Sequence, residues 1–103
     1  MPDGGEPVSG DAGTARAVVV ICNERGLHAR ASAKFVKHAA GFKSVISVTK
    51  DGETVEGRSI LDLMMLAAGP GASIEIAATG ADAAQALAEL KALVECGFDE
   101  NDE

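Results

Sequence analysis

The stretch RGLHARASAKF, residues 25–35, places a histidine between a Gly-Leu turn and an alanine-rich segment of helical character. If His28 stands at the start of a helix, the backbone N–H groups of Ala29, Arg30 and Ala31 have no partners within that helix. These amides, the positive end of the helix dipole and the guanidinium of Arg30 together suit a phosphate. A neutral imidazole at this position has the lone pair that is needed to accept a phosphoryl group. Taken alone the pattern establishes only an anion site, because many histidines at helix starts are surface residues without function.

The elements that would position His28 follow from the hydrophobic pattern. A valine-rich strand is predicted over residues 15–22, and a helix from His28 to about Ala40. The apolar stripe of that helix is predicted to consist of Ala29, Ser32, Ala33, Val36, Ala39 and Ala40. Gly41 suits the position just past its end, and Asp51-Gly52 between alternating runs indicates a hairpin.

The second half of the chain continues the alternation of strands and helices. Ser59 opens a short apolar helix, with Asp62 spaced as the second member of a capping box. Another alternating strand follows the GPGA break, and Asp82 is predicted to cap a final helix that ends before Gly97. The order β-α-β-β-α-β-α predicts an α+β fold. It is an open-faced sandwich, a four-stranded antiparallel sheet with three helices on one face.

Composition and charge limit the function classes. Residues 1–14 are predicted to be a disordered tail, residues 15–98 one domain, and residues 99–103 an acidic tail. A net charge of −7 and three aromatic residues disfavour nucleic-acid binding. The sequence has no membrane-length apolar run and no secretory signal, so we expect a cytoplasmic protein.

Two distant cysteines, Cys22 and Cys96, are expected to be buried or half-buried thiols. A disulfide between them is the alternative that the sequence does not exclude.

Two motifs carry a family resemblance. GLHARASAKFV and, further along the chain, SILDLMMLAAGPGASIEI resemble HPr, the histidine-containing phosphocarrier of the phosphoenolpyruvate-dependent phosphotransferase system. The resemblance covers about residues 15–95. The segment MMLAAGPG is more similar to the nitrogen-type branch of the family than to the sugar-transport carriers. The family resemblance implies that His28 receives the phosphoryl group on Nδ1 from enzyme I and hands it to a IIA-type acceptor, while Arg30 neutralises the phosphate. One departure is Ala31, where the family commonly has proline.

The resemblance also implies a regulatory site and a docking surface. Ser59 falls on the serine that an HPr kinase/phosphorylase modifies in some bacteria, although a serine there is first of all a helix cap. The residues expected to bind partners are Ile60, Leu61, Met64, Lys34, Lys37 and Arg58. The apolar residues of one short helix cannot all face inward, so some of them are expected on the surface. Leu63 and Leu66 are the two that are expected in the core.

The prediction is thus a monomeric phosphoryl-group carrier that is not itself an enzyme and needs no metal or cofactor. The alternative is a regulatory interaction module of the same fold, switched at Ser59, in which His28 has no chemical role. A third possibility, a thiol or metal protein, would use Cys22, Cys96 and the histidines. Acceptance of phosphate on His28 distinguishes the first two.

Overall fold

Four strands and three helices form along the chain in the predicted order, in a computed structural model that describes residues 13–100. The bounds are β1 Thr14–Val20, α1 Ala29–Ala39, β2 Val45–Lys50, β3 Glu53–Glu56, α2 Ile60–Met65, β4 Ser73–Thr79 and α3 Ala83–Glu95. A short 3₁₀ turn, Gly97–Asp99, follows α3. Residues 1–12 and 101–103, which hold most of the two predicted tails, lie outside the described residues.

The strands form one antiparallel sheet in the order β1-β4-β2-β3. The predicted α+β fold is confirmed. Alternate residues of each strand enter the core, because successive side chains of a strand point to opposite faces of the sheet. Val19 lies opposite Ile74, and Ile76 lies opposite Val48, all of them buried. Val18, on the other face of β1, is 63% exposed.

The buried stripe of α1 differs from the predicted one. Ala31, Ser32, Phe35 and Ala39 are buried, whereas Ala29, Ala33 and Ala40 are exposed. The large ring of Phe35 is completely buried, and this orients the helix. A stripe of alanines defines an apolar face weakly, because each methyl group removes little surface from water.

Local turn chemistry matches the sequence prediction in the hairpin and at the end of α3. Asp51 and Gly52 both have positive φ angles, 52° and 84°, as a two-residue hairpin turn requires. Gly97, just past α3, has φ 69°.

Within residues 13–100, no helix is both long enough and apolar enough to cross a membrane.

Asp82 precedes α3 as predicted, but its side chain does not cap that helix. The carboxylate instead accepts hydrogen bonds from the N–H groups of Lys43 and Ser44, at 2.8 and 2.9 Å, and from the Ser44 hydroxyl. Three donors from the α1–β2 loop outweigh the single amide that a cap would satisfy. Asp82 therefore joins this loop to the start of α3.

This junction makes stability sensitive to acid. The hydrogen bond from the Ser44 hydroxyl, followed by that from the Lys43 amide, lowers the pKa of Asp82 below its ordinary 3.8. A carboxyl whose pKa is lower in the folded state stabilises the fold above its unfolded-state pKa, and this contribution is lost as the pH falls through the folded-state pKa. We expect Asp82→Asn to lower the urea midpoint at neutral pH, and the difference from the wild type to shrink below about pH 4.

The matched control is Asp51→Asn in the exposed hairpin turn, where the asparagine suits the positive φ angle. Its urea midpoint should stay close to that of the wild type at neutral pH. A difference between Asp82→Asn and the wild type that does not shrink at all as the pH falls below 3.8 would contradict this role of the carboxylate.

Candidate functional site

His28 is the N-cap residue of α1. Its backbone is extended, with φ −75° and ψ −178°, and its ring Nδ1 accepts a hydrogen bond from the Arg30 amide at 3.3 Å. The sequence predicted His28 at or just before the first helical residue, and the helix begins at Ala29. Because a backbone amide can only donate, Nδ1 carries no proton in this arrangement. The ring nitrogen with a lone pair therefore faces the positive end of α1.

The first turn of α1 presents fewer amides than the sequence suggested. Ser32 makes the first regular helical bond, from its N–H to the His28 carbonyl at 2.9 Å. Ala29 and Arg30 are exposed, but Ala31 is completely buried. Of the expected trio, only Ala29 and Arg30 are therefore exposed residues. The side chain of Arg30 starts from this exposed turn, two residues after His28.

One wall beside His28 comes from the loop after α2, which the sequence analysis treated simply as a break between elements. The Leu27 amide donates to the Ala68 carbonyl at 2.9 Å, so the two loops are joined through their backbones. Gly26 makes this approach possible with a φ of 64°. A shallow cleft of about 220 Å³ results, lined by Arg25, Leu27, His28, Ala67, Ala68 and Gly69.

Glu100, a residue of the predicted acidic tail, also lies beside His28. The His28 Nε2 lies 2.8 Å from Glu100 Oε2, and the Asn23 side-chain amide donates to Oε1 at 3.0 Å. Burial alone would raise the pKa of Glu100. The hydrogen bonds from Asn23 and His28, together with the charge of Lys34, outweigh burial and lower the pKa below its ordinary 4.5. No local pattern indicates this contact, because 72 residues separate the two partners.

The α2 helix divides its apolar residues as the sequence predicted. Leu63 and Leu66 are buried, at 0% and 5% exposure. The residues left exposed, which we call the α2 patch, are Ile60, Leu61, Met64 and Met65, at 41, 67, 39 and 70%. Met65 was not assigned to this surface from the sequence. Ser59 caps the helix, and its hydroxyl accepts from the Asp62 amide at 3.2 Å, which is the first half of the predicted capping box.

The three cations expected on the docking surface lie in different surroundings. Lys37 is exposed, whereas Lys34 donates to the Phe98 carbonyl at 2.7 Å. Arg58 donates to the carbonyls of Ala39, Phe42 and Ser44, at 3.4, 2.6 and 3.2 Å. Arg58 therefore stabilises the segment between α1 and β2, a role that the sequence did not reveal.

The cysteines differ from their expected burial. Cys22 and Cys96 are both exposed thiols, and their sulfur atoms donate to the carbonyls of Val94 and Leu93, at 3.4 and 3.2 Å. The remaining histidine, His38, is exposed, and its Nδ1 lies 3.3 Å from the Lys34 carbonyl oxygen. Across residues 13–100, no three His, Cys, Asp or Glu side chains form a group that could hold a metal ion.

Known proteins are similar to this chain over most of its length. The family model for the "PTS HPr component phosphorylation site" matches residues 15–96. A phosphocarrier protein HPr of Neisseria meningitidis is 48% identical over 84 residues, which are 82% of this chain and 94% of that protein. A phosphocarrier protein NPr of Escherichia coli is 37% identical over 89 residues, 85% of this chain and 99% of that protein.

Solved structures show the same similarity. The structure of HPr-C-His from Thermoanaerobacter tengcongensis superimposes with a TM-score of 0.81 at 37% identity, covering 84% of this chain and 98% of that one. A phosphocarrier protein HPr from Bacillus anthracis gives a TM-score of 0.76 at 41% identity, covering 79% and 96%. The chain therefore belongs to the HPr family, the phosphocarrier proteins of the phosphotransferase system.

Proposed function

We propose that His28 accepts a phosphoryl group from phosphorylated enzyme I and passes it to a IIA-type acceptor. The observation that carries this proposal is the position of the ring: Nδ1 lies at the N-terminus of α1, against the Arg30 amide. A phosphate on Nδ1 would take the place of that hydrogen bond and accept from the same amide. The helix dipole would stabilise its negative charge.

Each transfer needs little from this chain beyond position and charge. The Nδ1 lone pair attacks phosphorus, and the bond from phosphorus to the donor breaks, with its electron pair leaving on the donor. In the second transfer the acceptor attacks, and the electron pair of the P–Nδ1 bond returns to the ring. Arg30 and the exposed first-turn amides offset the charge on the phosphoryl oxygens in both steps.

The α2 patch is the surface on which we propose that both partners dock. Its four exposed apolar side chains are contiguous along one short helix, and methionines adapt to more than one partner surface. Lys37 adds positive charge on α1, which packs against α2. The proposed surface does not depend on Arg58, since its guanidinium is bound to the chain's own carbonyls.

Leu61→Ser tests this docking surface. Leu61 is 67% exposed, so its loss should change the free energy of unfolding by less than about 0.5 kcal/mol. Its apolar contact with enzyme I would be lost, and we expect the KM for this chain as substrate of enzyme I to rise roughly tenfold.

The matched control for this test is Val18→Ser, since Val18 is 63% exposed on β1. The KM of Val18→Ser should remain within about twofold of wild type, because surface changes outside an interface cost little. Equal KM values for Leu61→Ser and wild type would place the docking surface elsewhere.

Ser59 carries a weaker case for regulation. Its hydroxyl already caps α2, and Asp62 lies one turn away, where its charge would repel a phosphoserine. The alternative of an interaction module switched at Ser59 has no comparable geometric support. We therefore place the chemistry of this chain on His28.

The experiment that tests the carrier function is phosphoryl transfer from phosphoenolpyruvate through enzyme I of the same organism. The expected product is an acid-labile, base-stable phosphate, located on His28 by tandem mass spectrometry. Label on the chain at Ser59 alone would favour the interaction module. No label, with an enzyme I shown to be active on another carrier, would contradict the proposal.

A further inference from the structure

The chain bends back toward His28 after α3. Gly97, Phe98 and Asp99 have φ angles of 69°, 57° and 61°, three left-handed residues in succession. Non-glycine residues keep that conformation only where their surroundings hold them. Phe98 is completely buried, and the Lys34 ammonium donates to its carbonyl at 2.7 Å. These contacts fix the position at which Glu100 emerges.

Asn23 holds the Glu100 carboxylate on its other side. Asn23 is 2% exposed, and its side-chain NH₂ donates both to the Gly26 carbonyl, at 2.9 Å, and to Glu100 Oε1, at 3.0 Å. Its Oδ1 is buried and has no hydrogen-bond partner among the described residues. Reversing the amide would set this oxygen against two acceptors, so the orientation of Asn23 follows from the Gly26 carbonyl and Glu100.

The carboxylate and the Arg30 amide act on opposite nitrogens of one ring. Nδ1 accepts from the amide at 3.3 Å, and Nε2 donates to Glu100 Oε2 at 2.8 Å. The hydrogen bond at one imidazole nitrogen decides which nitrogen carries the proton. The side chains of His28 and Glu100 are 22% and 13% exposed, so water competes little for this pair.

We propose that Glu100 is a positioning residue for phosphoryl transfer, whose carboxylate keeps the proton of His28 on Nε2 and thereby leaves Nδ1 with an unprotonated lone pair that can attack phosphorus. This inference rests on the proposed function of His28. When Nδ1 bonds to phosphorus, Nε2 keeps its proton and the ring becomes cationic. Glu100 balances that charge, and it holds the ring in place while the P–Nδ1 bond later breaks and returns its electron pair to Nδ1.

Two substitutions separate the hydrogen bond from the charge. Glu100→Ala removes both, whereas Glu100→Gln keeps an oxygen that can accept from Nε2–H but has no charge. Glu95→Gln on the exposed end of α3 is the matched control. The spectroscopic readout is ¹⁵N-edited NMR of the His28 ring in the full-length, unphosphorylated chain. The kinetic readout is the initial rate of phosphoryl acceptance from phosphorylated enzyme I.

We expect a downfield Nε2–H signal in the wild type and in Glu95→Gln, a weaker shift in Glu100→Gln, and loss of the signal by exchange in Glu100→Ala. The acceptance rate should fall roughly tenfold in Glu100→Ala, which is the size of effect seen when a carboxylate that orients a metal-binding histidine is removed. The rate of Glu100→Gln should lie between those of Glu100→Ala and the wild type. An unchanged ring spectrum together with a rate within twofold of wild type in Glu100→Ala would overturn the proposal.

Phosphorylation of the wild type distinguishes a failure of the proposed function from a failure of this inference. If the wild type itself accepts no phosphoryl group, the function of His28 is wrong whatever the spectra show. If the wild type is phosphorylated on His28 and Glu100→Ala behaves identically in both readouts, only the role of Glu100 is wrong. A folded state in each variant is verified by the dispersion of its amide spectrum.

Discussion

Replacing His28 with alanine is expected to reduce phosphoryl acceptance from enzyme I to background, a loss of at least about a thousandfold, because the atom that bonds to phosphorus is gone. The substitution also removes the side chain that caps α1. Loss of an N-cap hydrogen bond costs about 1 kcal/mol of stability, so the alanine variant changes two properties together. The measurement is the incorporation of radiolabelled phosphate from phosphoenolpyruvate.

A second substitution separates these two properties. Asparagine is among the best N-cap residues and lacks a ring nitrogen. Because asparagine does not supply the ring Nε2 that bonds to Glu100, His28→Asn should restore only the N-cap part of the lost stability, while remaining unlabelled. His38→Ala provides the matched histidine control, since His38 is exposed near the end of α1, and it should be labelled at the wild-type rate. Label retained in His28→Asn, or lost in His38→Ala, would move the acceptor site away from His28.

Gly26→Ala is expected to lower the free energy of unfolding by about 3 kcal/mol, through a left-handed φ angle and a clash in a packed site. A Cβ atom at this position would lie 2.2 Å from the Ala68 carbonyl oxygen and 2.8 Å from the Gly69 Cα. Both are backbone atoms, so relief requires the loop after α2 to move. That loop forms the wall beside His28, and phosphoryl acceptance should fall together with stability.

The control for Gly26→Ala is Gly52→Ala in the hairpin turn. Gly52 has a φ of 84°, and a Cβ atom there would meet nothing within 4 Å. It isolates the conformational strain, which should cost about 1 kcal/mol and leave phosphoryl acceptance unchanged. Urea unfolding of both variants checks the difference. Equal losses of stability would show that the close approach of Gly26 to Ala68 contributes nothing beyond its φ angle.

Much of this protein follows from the sequence because the relevant signals are local. Alternating residues define the strands, the Asp51-Gly52 pair defines the hairpin turn, and His28 stands where the helical period begins. Counting the apolar residues of α2 also showed that some of them must be exposed, and the family resemblance indicated Ile60, Leu61 and Met64. In each case, neighbours within a few positions decide the outcome.

The tertiary structure decided what depends on distant partners. The Asp82 side chain does not cap α3 but accepts hydrogen bonds from Lys43 and Ser44, because the fold brings three donors to it. Glu100 reaches His28 because a buried Phe98 and left-handed backbone angles turn the chain back, and no periodicity in the sequence encodes that turn. The sequence by itself thus indicated His28 as the residue on which we propose the chemistry. The fold determined which groups hold it, since contacts across 72 residues arise from packing rather than from local pattern.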